Sequence, residues 1–199
     1  MGFMRLTAIL FIVLSLASCN AQQVSNKLKF KEVGWTLYIP TGSQLLSTAE
    51  FDSIKTKAVT RINNTYGTSE TLNEIRPLFT ITDKRYNTFN STINLYDSTM
   101  FKSWEESYEA SKEMLIDLLN KQGGEVIVSD TSSAVEKIDG LQFQRFDFKT
   151  IYPKQNLTMH TYWFYRKQGI YDFSINISFT DVQIGKQYLE IVRNSKFEK

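Results

Sequence analysis

Apolar and polar residues alternate along several stretches of the chain, as they do in strands that bury one face. The clearest stretch is Ile170–Phe179, where aromatic and aliphatic residues occupy every second position from Tyr171 onward. Four strands are predicted in succession in the second half of the chain: Glu125–Val135, Leu141–Ile151, Leu157–Lys167 and Ile170–Phe179. The dipeptides Asp139-Gly140 and Gln168-Gly169 are typical of tight hairpin turns, so neighbouring strands should pair antiparallel.

Four earlier strands are predicted from shorter alternations: Lys29–Val33, Trp35–Ile39, Arg76–Tyr86 and Phe89–Tyr96. Three further stretches repeat apolar residues at helical spacing and predict helices: Thr48–Asn64, Ser103–Gln122 and Val182–Asn194. Capping-box patterns open the first two helices, Ser47 with Glu50 and Ser103 with Glu106. The apolar residues on one face of the first helix, which we expect to cover the sheet, are Phe51, Ile54, Ala58 and Ile62.

The predicted order is therefore ββα-ββα-ββββ-α. Strands joined by hairpins and followed by separate helices favour the α+β class, with a mostly antiparallel sheet flanked by about three helices. Helices on one or both sides of the sheet would make an α/β/α sandwich. The length after the amino-terminal segment suits one domain, which we assign to residues 29–199.

Several of these features occur together in a known family. One is the segment Gly34–Pro40, a strand that ends in proline, and another is the central helix Ser103–Gln122 with Gly123-Gly124 directly after it. The end of the chain adds a turn glycine, an aromatic strand and a closing tripeptide after the last helix: Gly169, Tyr171–Phe179 and Ser195-Lys196-Phe197. In pattern and order the chain resembles the Mog1/PsbP-like family of α/β/α sandwich domains. The resemblance implies mostly non-enzymatic roles: binding proteins, assisting the assembly of membrane complexes, or occurring as bacterial lipoproteins.

The amino terminus carries a different signal. An apolar run from Leu6 to Leu16 follows Arg5 and is too short to span a bilayer, which needs about 20 apolar residues. It ends in Leu16-Ala17-Ser18-Cys19, which resembles the lipobox of bacterial lipoproteins. The resemblance implies a signal peptide over residues 1–18, cleavage between Ser18 and Cys19, and a lipid on the Cys19 thiol. Residues 19–28 would then form a tether between lipid and domain.

Two alternatives to lipidation remain open. The segment could be an ordinary secretory signal with Cys19 a passive thiol, or an uncleaved signal anchor. Cys19 is the only cysteine in the chain, so it has no intramolecular disulfide partner. Lipidation is favoured because it removes a thiol that would otherwise be free in an oxidising compartment. Asn20 stands where aspartate retains lipoproteins in the inner membrane, so in a cell with two membranes we expect the outer membrane, facing the periplasm.

Charge and composition restrict the partners. The net charge is +2, and lysine and arginine form no cluster, so nucleic acid is not expected as a partner. A membrane is expected only through the lipid, and an envelope protein is the expected macromolecular partner. No cofactor is predicted, because neither a phosphate-binding glycine loop nor a dinucleotide fingerprint occurs.

Candidate catalytic and metal-binding residues are few. His160 is the only histidine, and we interpret it as a residue of a sheet face because no nucleophile and acid can be assigned to it. A zinc site is not expected, because the chain has a single histidine and Cys19 is committed to the lipid or lies in the tether. Glu105, Glu109 and Glu113 share one helix face, which we interpret as a solvated surface. Glu105 and Glu106 lie in the first turn, where acidic residues suit the helix dipole. The sequence therefore predicts neither catalytic nor metal-binding residues.

Aromatic residues on the last strands are the remaining candidates. Tyr162, Trp163, Tyr165 and Tyr171 could line a groove for a peptide, sugar or lipid, although packing in the core is favoured. The sequence leaves three functional hypotheses. The first is a non-catalytic module that binds an envelope protein through a sheet edge or an aromatic groove. The second is a carrier of small molecules or lipids with a pocket of several hundred Å³ between sheet and helices. An enzyme is the least favoured.

Overall fold

The computed structural model describes residues 25–67, 75–84, 86–121 and 125–198. Within these ranges the chain forms ten strands: β1 (Ser25–Phe30), β2 (Trp35–Pro40), β3 (Gln44–Leu45), β4 (Arg76–Asp83), β5 (Asn87–Leu95), β6 (Ile127–Ile138), β7 (Leu141–Tyr152), β8 (Leu157–Gln168), β9 (Tyr171–Phe179) and β10 (Lys196–Phe197). The helices are α1 (Thr48–Tyr66), α2 (Trp104–Asn120), α3 (Val182–Asn194) and a short 3-10 helix, Pro153–Gln155. No helix in the described part of the chain is long and apolar enough to cross a membrane.

The strands make two antiparallel sheets. The large sheet has the order β3-β4-β5-β9-β8-β7-β6, and the small sheet has the order β1-β2-β10. Hairpins join β6 to β7 and β8 to β9, as the turn residues Asp139-Gly140 and Gln168-Gly169 predicted. Strands β7 and β8 also pair antiparallel, and the 3-10 helix Pro153–Gln155 lies in their connection. The pairing of β5 with β9 joins strands β3 to β5 to strands β6 to β9 in one continuous sheet. The predicted α+β class, with a mostly antiparallel sheet and three helices, is confirmed.

The main core lies on the inner face of the large sheet, beneath the small sheet and α3. Trp35 of β2 is fully buried there, with its ring centroid 5.2 Å from that of Phe173. Helix α3 approaches the sheet closely at Gly185, where an added Cβ would lie 2.5 Å from the ring of Phe179. Glycine at this position therefore allows α3 to pack directly on β9.

A second, smaller core lies on the outer face of the large sheet, beneath α2. Its buried members are aromatic side chains: Tyr108, Phe146, Phe148, Trp163 and Tyr165. Ser103 caps α2 through its hydroxyl, which accepts from the backbone N–H of Glu106. The Glu106 carboxylate accepts from the N–H of Lys102, one residue before the expected position. Only the half of this face formed by β7 and β8 carries the aromatic residues.

Helix α1 departs from the expectation that its apolar side covers the sheet. The predicted capping box of Ser47 and Glu50 is present, but none of the 19 helix residues is buried. Ile54, one of the expected inward residues, is 50% exposed. The expectation was wrong because the neighbouring half of the outer face, on β5 and β9, presents polar side chains. Helix α1 instead contacts α2 near its carboxyl end, where the Tyr66 hydroxyl donates to Asp117 Oδ2 at 2.7 Å.

One strand boundary and two short strands also differ from the prediction. Strand β1 begins at Ser25, four residues before the predicted Lys29, because its residues pair with β2 as far as Pro40. Residues 25–28, assigned above to the tether, are therefore part of a strand. The short strands β3 and β10 were not predicted, because two paired residues are too few to show an alternating pattern.

Candidate functional site

The predicted aromatic residues do not share one surface. Trp163 and Tyr165 are buried under α2, with ring centroids 5.5 Å and 5.7 Å from that of Tyr108. Tyr162 points to the inner face, where its ring lies 5.4 Å from Phe179. The preferred interpretation of core packing is therefore correct for Trp163 and Tyr165. Tyr171 is the only one of the four that lies at an end of the sheet.

The other half of the outer face is a polar strip. It is formed by residues of β5 and β9 whose side chains face away from the main core: Thr88, Asn90, Thr92, Asn94, Asp172, Ser174, Asn176 and Ser178. Hydrogen bonds link this strip sideways to the aromatic half. Trp163 Nε1 donates to Ser174 Oγ at 2.7 Å, and Asn176 Nδ2 donates to the same oxygen at 3.1 Å. Side-chain partners within the sheet thus satisfy much of this half of the face.

Two oxygens at one end of the strip have no such partner. Asn94 Oδ1 and Asp172 Oδ1 are buried and accept no hydrogen bond from the described residues. Asn94 and Asp172 lie opposite each other on β5 and β9. Burial raises the pKa of Asp172, although Tyr165 and Lys167 act in the other direction. Burial and the neighbouring Asp172 also raise the pKa of Tyr165, whose hydroxyl shares a hydrogen bond with Ser107 Oγ at 3.1 Å.

A groove of about 530 Å³ opens beside this end of the strip. One wall is α1, which contributes residues spaced by about one turn, namely Thr48, Asp52 and Lys55. The other wall is the end of the large sheet where β4 begins, β5 ends and β9 begins. It contributes mainly apolar residues: Ile75, Arg76, Pro77, Ile93, Asn94, Leu95 and Tyr171. The groove is open to solvent. Its lining includes Tyr171 and Asn94, the residue whose Oδ1 accepts no hydrogen bond from the described residues.

Exposed apolar side chains continue from the groove onto the surface. Leu95 pairs with Tyr171 across the sheet and is 52% exposed. Ile170 lies in the turn before β9, is 64% exposed, and its carbonyl accepts from the N–H of Tyr96 at 3.0 Å. We call Leu95, Ile170 and the apolar groove residues Ile75, Pro77 and Tyr171 the apolar end patch. Large exposed aliphatic residues that lie together are typical of interaction sites.

Two further cavities are mainly polar. One of about 750 Å³ lies between α1 and the segment after α2, and includes Arg61, Lys121 and Glu125. The Glu125 and Lys121 charges are already paired, with Lys154 at 2.8 Å and with Asp117 at 2.7 Å respectively. Another cavity of about 370 Å³ lies beside the turn between β2 and β3. Neither cavity has the apolar lining of the groove.

The residues considered for catalysis lie apart from the groove. His160 stacks on Phe179 at 5.3 Å on the inner face, and burial together with the charge of Lys149 lowers its pKa. Glu105, Glu109 and Glu113 are exposed on α2, as a solvated helix face requires, and Glu109 pairs with Lys112. Within the described ranges no group of three or more histidine, cysteine, aspartate or glutamate residues is placed to bind a metal ion. Ser18 and Cys19 lie outside the described residues.

Comparison with known proteins identifies the fold. No family model matches the chain, and no curated protein matches its sequence. The solution structure of the cyanobacterial PsbP, CyanoP, from Synechocystis sp. PCC 6803 superposes with a TM-score of 0.59. The match covers 92% of this chain and 99% of CyanoP at 8% sequence identity. The chain has a PsbP-like fold. A protein of unknown function from Pseudomonas aeruginosa matches at 9% identity over 83% of this chain and 90% of its own, with a TM-score of 0.35.

The PsbP-like fold was expected from the order of strands and helices, but most of the groove was not. Among its residues only Tyr171 was singled out by sequence reasoning. Ile170 is one sequence feature that indicates an exposed apolar surface beside the groove, because it is a large aliphatic residue directly after the turn glycine Gly169. It was assigned to the last strand, whereas the structure places it in the turn, where it is exposed.

Proposed function

We propose that this chain is a lipid-anchored, non-catalytic accessory protein of the bacterial cell envelope that binds a partner protein at the apolar end patch. The observation that carries the proposal is the exposure of Leu95 and Ile170 beside an open groove with an apolar wall. Exposing these side chains to water is unfavourable, and a partner that covers them recovers their burial energy.

The geometry of the groove favours a protein over an enclosed small molecule. Carrier pockets usually surround most of the ligand surface. This groove is open along one side, and its apolar residues continue outward to Leu95 and Ile170. A surface that combines an indentation with exposed aliphatic side chains suits the protruding side chain of a second protein. The fold itself does not decide the question, because one fold hosts many functions.

The anchoring part of the proposal comes from the sequence. The apolar run Leu6–Leu16 and the following Ala17-Ser18-Cys19 support lipidation of Cys19 after removal of the signal peptide. In a cell with two membranes we propose the outer membrane, with the domain in the periplasm, because Asn20 follows the cysteine.

The test is photo-crosslinking in intact cells with a benzophenone amino acid at position 95. The matched control carries the same group at position 182, because Val182 is 49% exposed and lies at the other end of the sheet. We expect position 95 to crosslink one dominant envelope protein that position 182 does not. Equal recovery of that protein from both positions, or no protein adduct from position 95, would contradict binding at the patch.

The carrier alternative predicts a different result in the same material. Native mass spectrometry of the purified protein would show a bound small molecule, and Leu95→Asp would remove it. A bound small molecule with no crosslinked protein would make the carrier the better description.

A further inference from the structure

The described chain enters the domain at the end of the large sheet opposite to the groove. Ser25 pairs with Pro40 at the edge of the small sheet. The turn that follows Pro40 leads into β3, where Gln44 pairs with Thr82 near the end of β4. We call this end, with Ser25, Pro40 and Thr82, the entry pole. The groove lies at the start of β4, which we call the groove pole.

A separate contact supports the same orientation. The β1–β2 hairpin runs from the entry pole toward its tip, where β1 ends at Phe30 and β2 begins at Trp35. Glu32 in this tip forms an ion pair with Arg76 at 3.3 Å, and Arg76 lines the groove. The free end of the hairpin therefore lies at the groove pole, and the end that continues toward the amino terminus lies at the entry pole.

The length of the connecting segment limits how a lipidated chain can orient. Six residue steps separate Cys19 from Ser25, which reach at most about 21 Å when fully extended. Strand β4 has eight residues, so the two poles lie about 24 Å apart. To turn the groove toward the anchoring bilayer, the segment would have to run the full length of the domain. Even fully extended, the segment would not exceed this length, so that orientation would leave no slack between lipid and domain.

We infer that the groove at the groove pole binds an extended segment of a partner protein that lies away from the anchoring membrane, with an aliphatic or aromatic side chain held against Leu95 and Tyr171. This inference rests on the proposed function, because it takes Cys19 as the point of attachment. It adds the direction in which the patch faces and the chemistry of the bound segment.

The polar groups of the groove suit a polypeptide better than a lipid headgroup. Lys55 lies 3.6 Å from Asp52, and Arg76 is paired with Glu32, so the basic side chains on the rim already have acidic partners. A phosphate group would have to compete with both carboxylates. Asn94 lines the groove, and its Oδ1 is a buried acceptor without a donor among the described residues. Rotation of the terminal amide would present this oxygen to the groove, where a backbone N–H of an extended segment can donate to it.

Orientation is tested with the full lipidated protein in vesicles of phosphatidylethanolamine and phosphatidylglycerol that contain a nitroxide-labelled headgroup lipid. Leu95→Cys and Val182→Cys each provide one reactive thiol for a fluorophore, because the Cys19 sulfur is occupied by lipid. We expect the label at position 182 to be quenched at least twofold more than the label at position 95. Equal quenching, or stronger quenching at position 95, overturns the inferred orientation.

The same experiment separates this inference from the proposed function. If position 95 crosslinks a protein in cells but is the more strongly quenched position in vesicles, the orientation is wrong and protein binding stands. If the quenching order is as expected but position 95 gives no protein adduct, the partner-binding proposal and the inferred occupant are both wrong.

The role of Asn94 is tested by substitution. Asn94→Ala removes the unpartnered acceptor and is expected to lower the crosslinking yield from position 95 at least threefold. Asn94→Gln keeps an amide oxygen without adding a carboxylate opposite Asp172, and is expected to retain more of the yield than Asn94→Ala. An unchanged yield in Asn94→Ala, or an equal loss in both variants, contradicts acceptance of a backbone N–H by Asn94.

Discussion

The indole Nε1 of Trp35 donates a hydrogen bond to the hydroxyl oxygen of Ser195 across 2.8 Å. This bond joins β2, near the beginning of the described chain, to the residue that ends α3. The same hydroxyl donates to the carbonyl of Val192 at 2.6 Å, so it also helps to end the helix. One buried serine therefore connects the small sheet, α3 and β10.

Ser195→Ala should destabilise the protein, because it leaves the buried indole N–H of Trp35 without an acceptor. We expect a loss of about 1–3 kcal/mol in the free energy of unfolding. Urea denaturation followed by tryptophan fluorescence measures it. Ser53→Ala, on the exposed side of α1, is the control and should change the value by less than about 0.5 kcal/mol. An equally small change for Ser195→Ala would show that this bond contributes little.

Gly185→Ala should also destabilise, although alanine normally stabilises a helix interior by about 1 kcal/mol relative to glycine. The added methyl would lie 2.5 Å from the Phe179 ring, and such overpacking typically costs about 1–3 kcal/mol. Thermal unfolding gives the sign of the change. In a Phe179→Leu background, which leaves room for the added methyl, Gly185→Ala should lower the melting temperature less than it does in the wild-type protein. A stabilised Gly185→Ala protein would be incompatible with the close packing of α3 on β9.

Glu136 should make stability depend on pH. Its carboxylate accepts from Arg193 Nε at 2.6 Å and also pairs with Arg145. Burial acts to raise the pKa of Glu136, but the hydrogen bonds and charges of Arg193 and Arg145 outweigh it and lower the pKa. Ionised Glu136 therefore contributes its full stabilisation of the folded state above the unfolded pKa of about 4.3. This stabilisation is lost as the pH falls through the lower pKa of the folded state.

Glu136→Gln should accordingly cost about 1.5–3 kcal/mol at pH 7 and much less at the acid end of the range. Urea midpoints of both proteins between pH 3 and pH 7 measure the difference. Glu109→Gln removes a pair on the exposed face of α2 and should cost less than about 1 kcal/mol throughout. A difference between Glu136→Gln and wild type that does not shrink as the pH falls would contradict the assignment.

Cys19 is expected to carry the lipid. Mass spectrometry of the amino-terminal peptide should show a modified cysteine at the new terminus, and Cys19→Ser should leave the unlipidated precursor. An unmodified Cys19 in the wild-type protein would exclude the lipoprotein and, with it, the inferred orientation of the groove.

Local pattern was sufficient to predict most of the secondary structure. The alternation in Tyr171–Phe179 requires one buried face, and the turn residues between the strands leave antiparallel pairing as the simple solution. Helix α3 was predicted with its observed bounds, because its apolar stripe is continuous and Asp181 caps it through the N–H groups of Gln183 and Ile184. The lipoprotein hypothesis likewise depends only on local sequence, namely the amino-terminal apolar run and Cys19.

Only the tertiary structure decided which faces meet. The pattern of β8 separates Tyr162 from Trp163, but it does not say that α2 covers Trp163 while the small sheet and α3 cover the opposite side of the sheet. Helix α1 has an apolar side and still buries none of its residues, because the polar strip beside α2 offers it no apolar surface. The groove brings together Thr48, Pro77, Leu95 and Tyr171, which are far apart in the sequence. Periodicity indicates only the side of a strand or helix on which a residue lies. The groove depends on the pairing of β5 with β9, a contact between segments about 80 residues apart that no local pattern encodes.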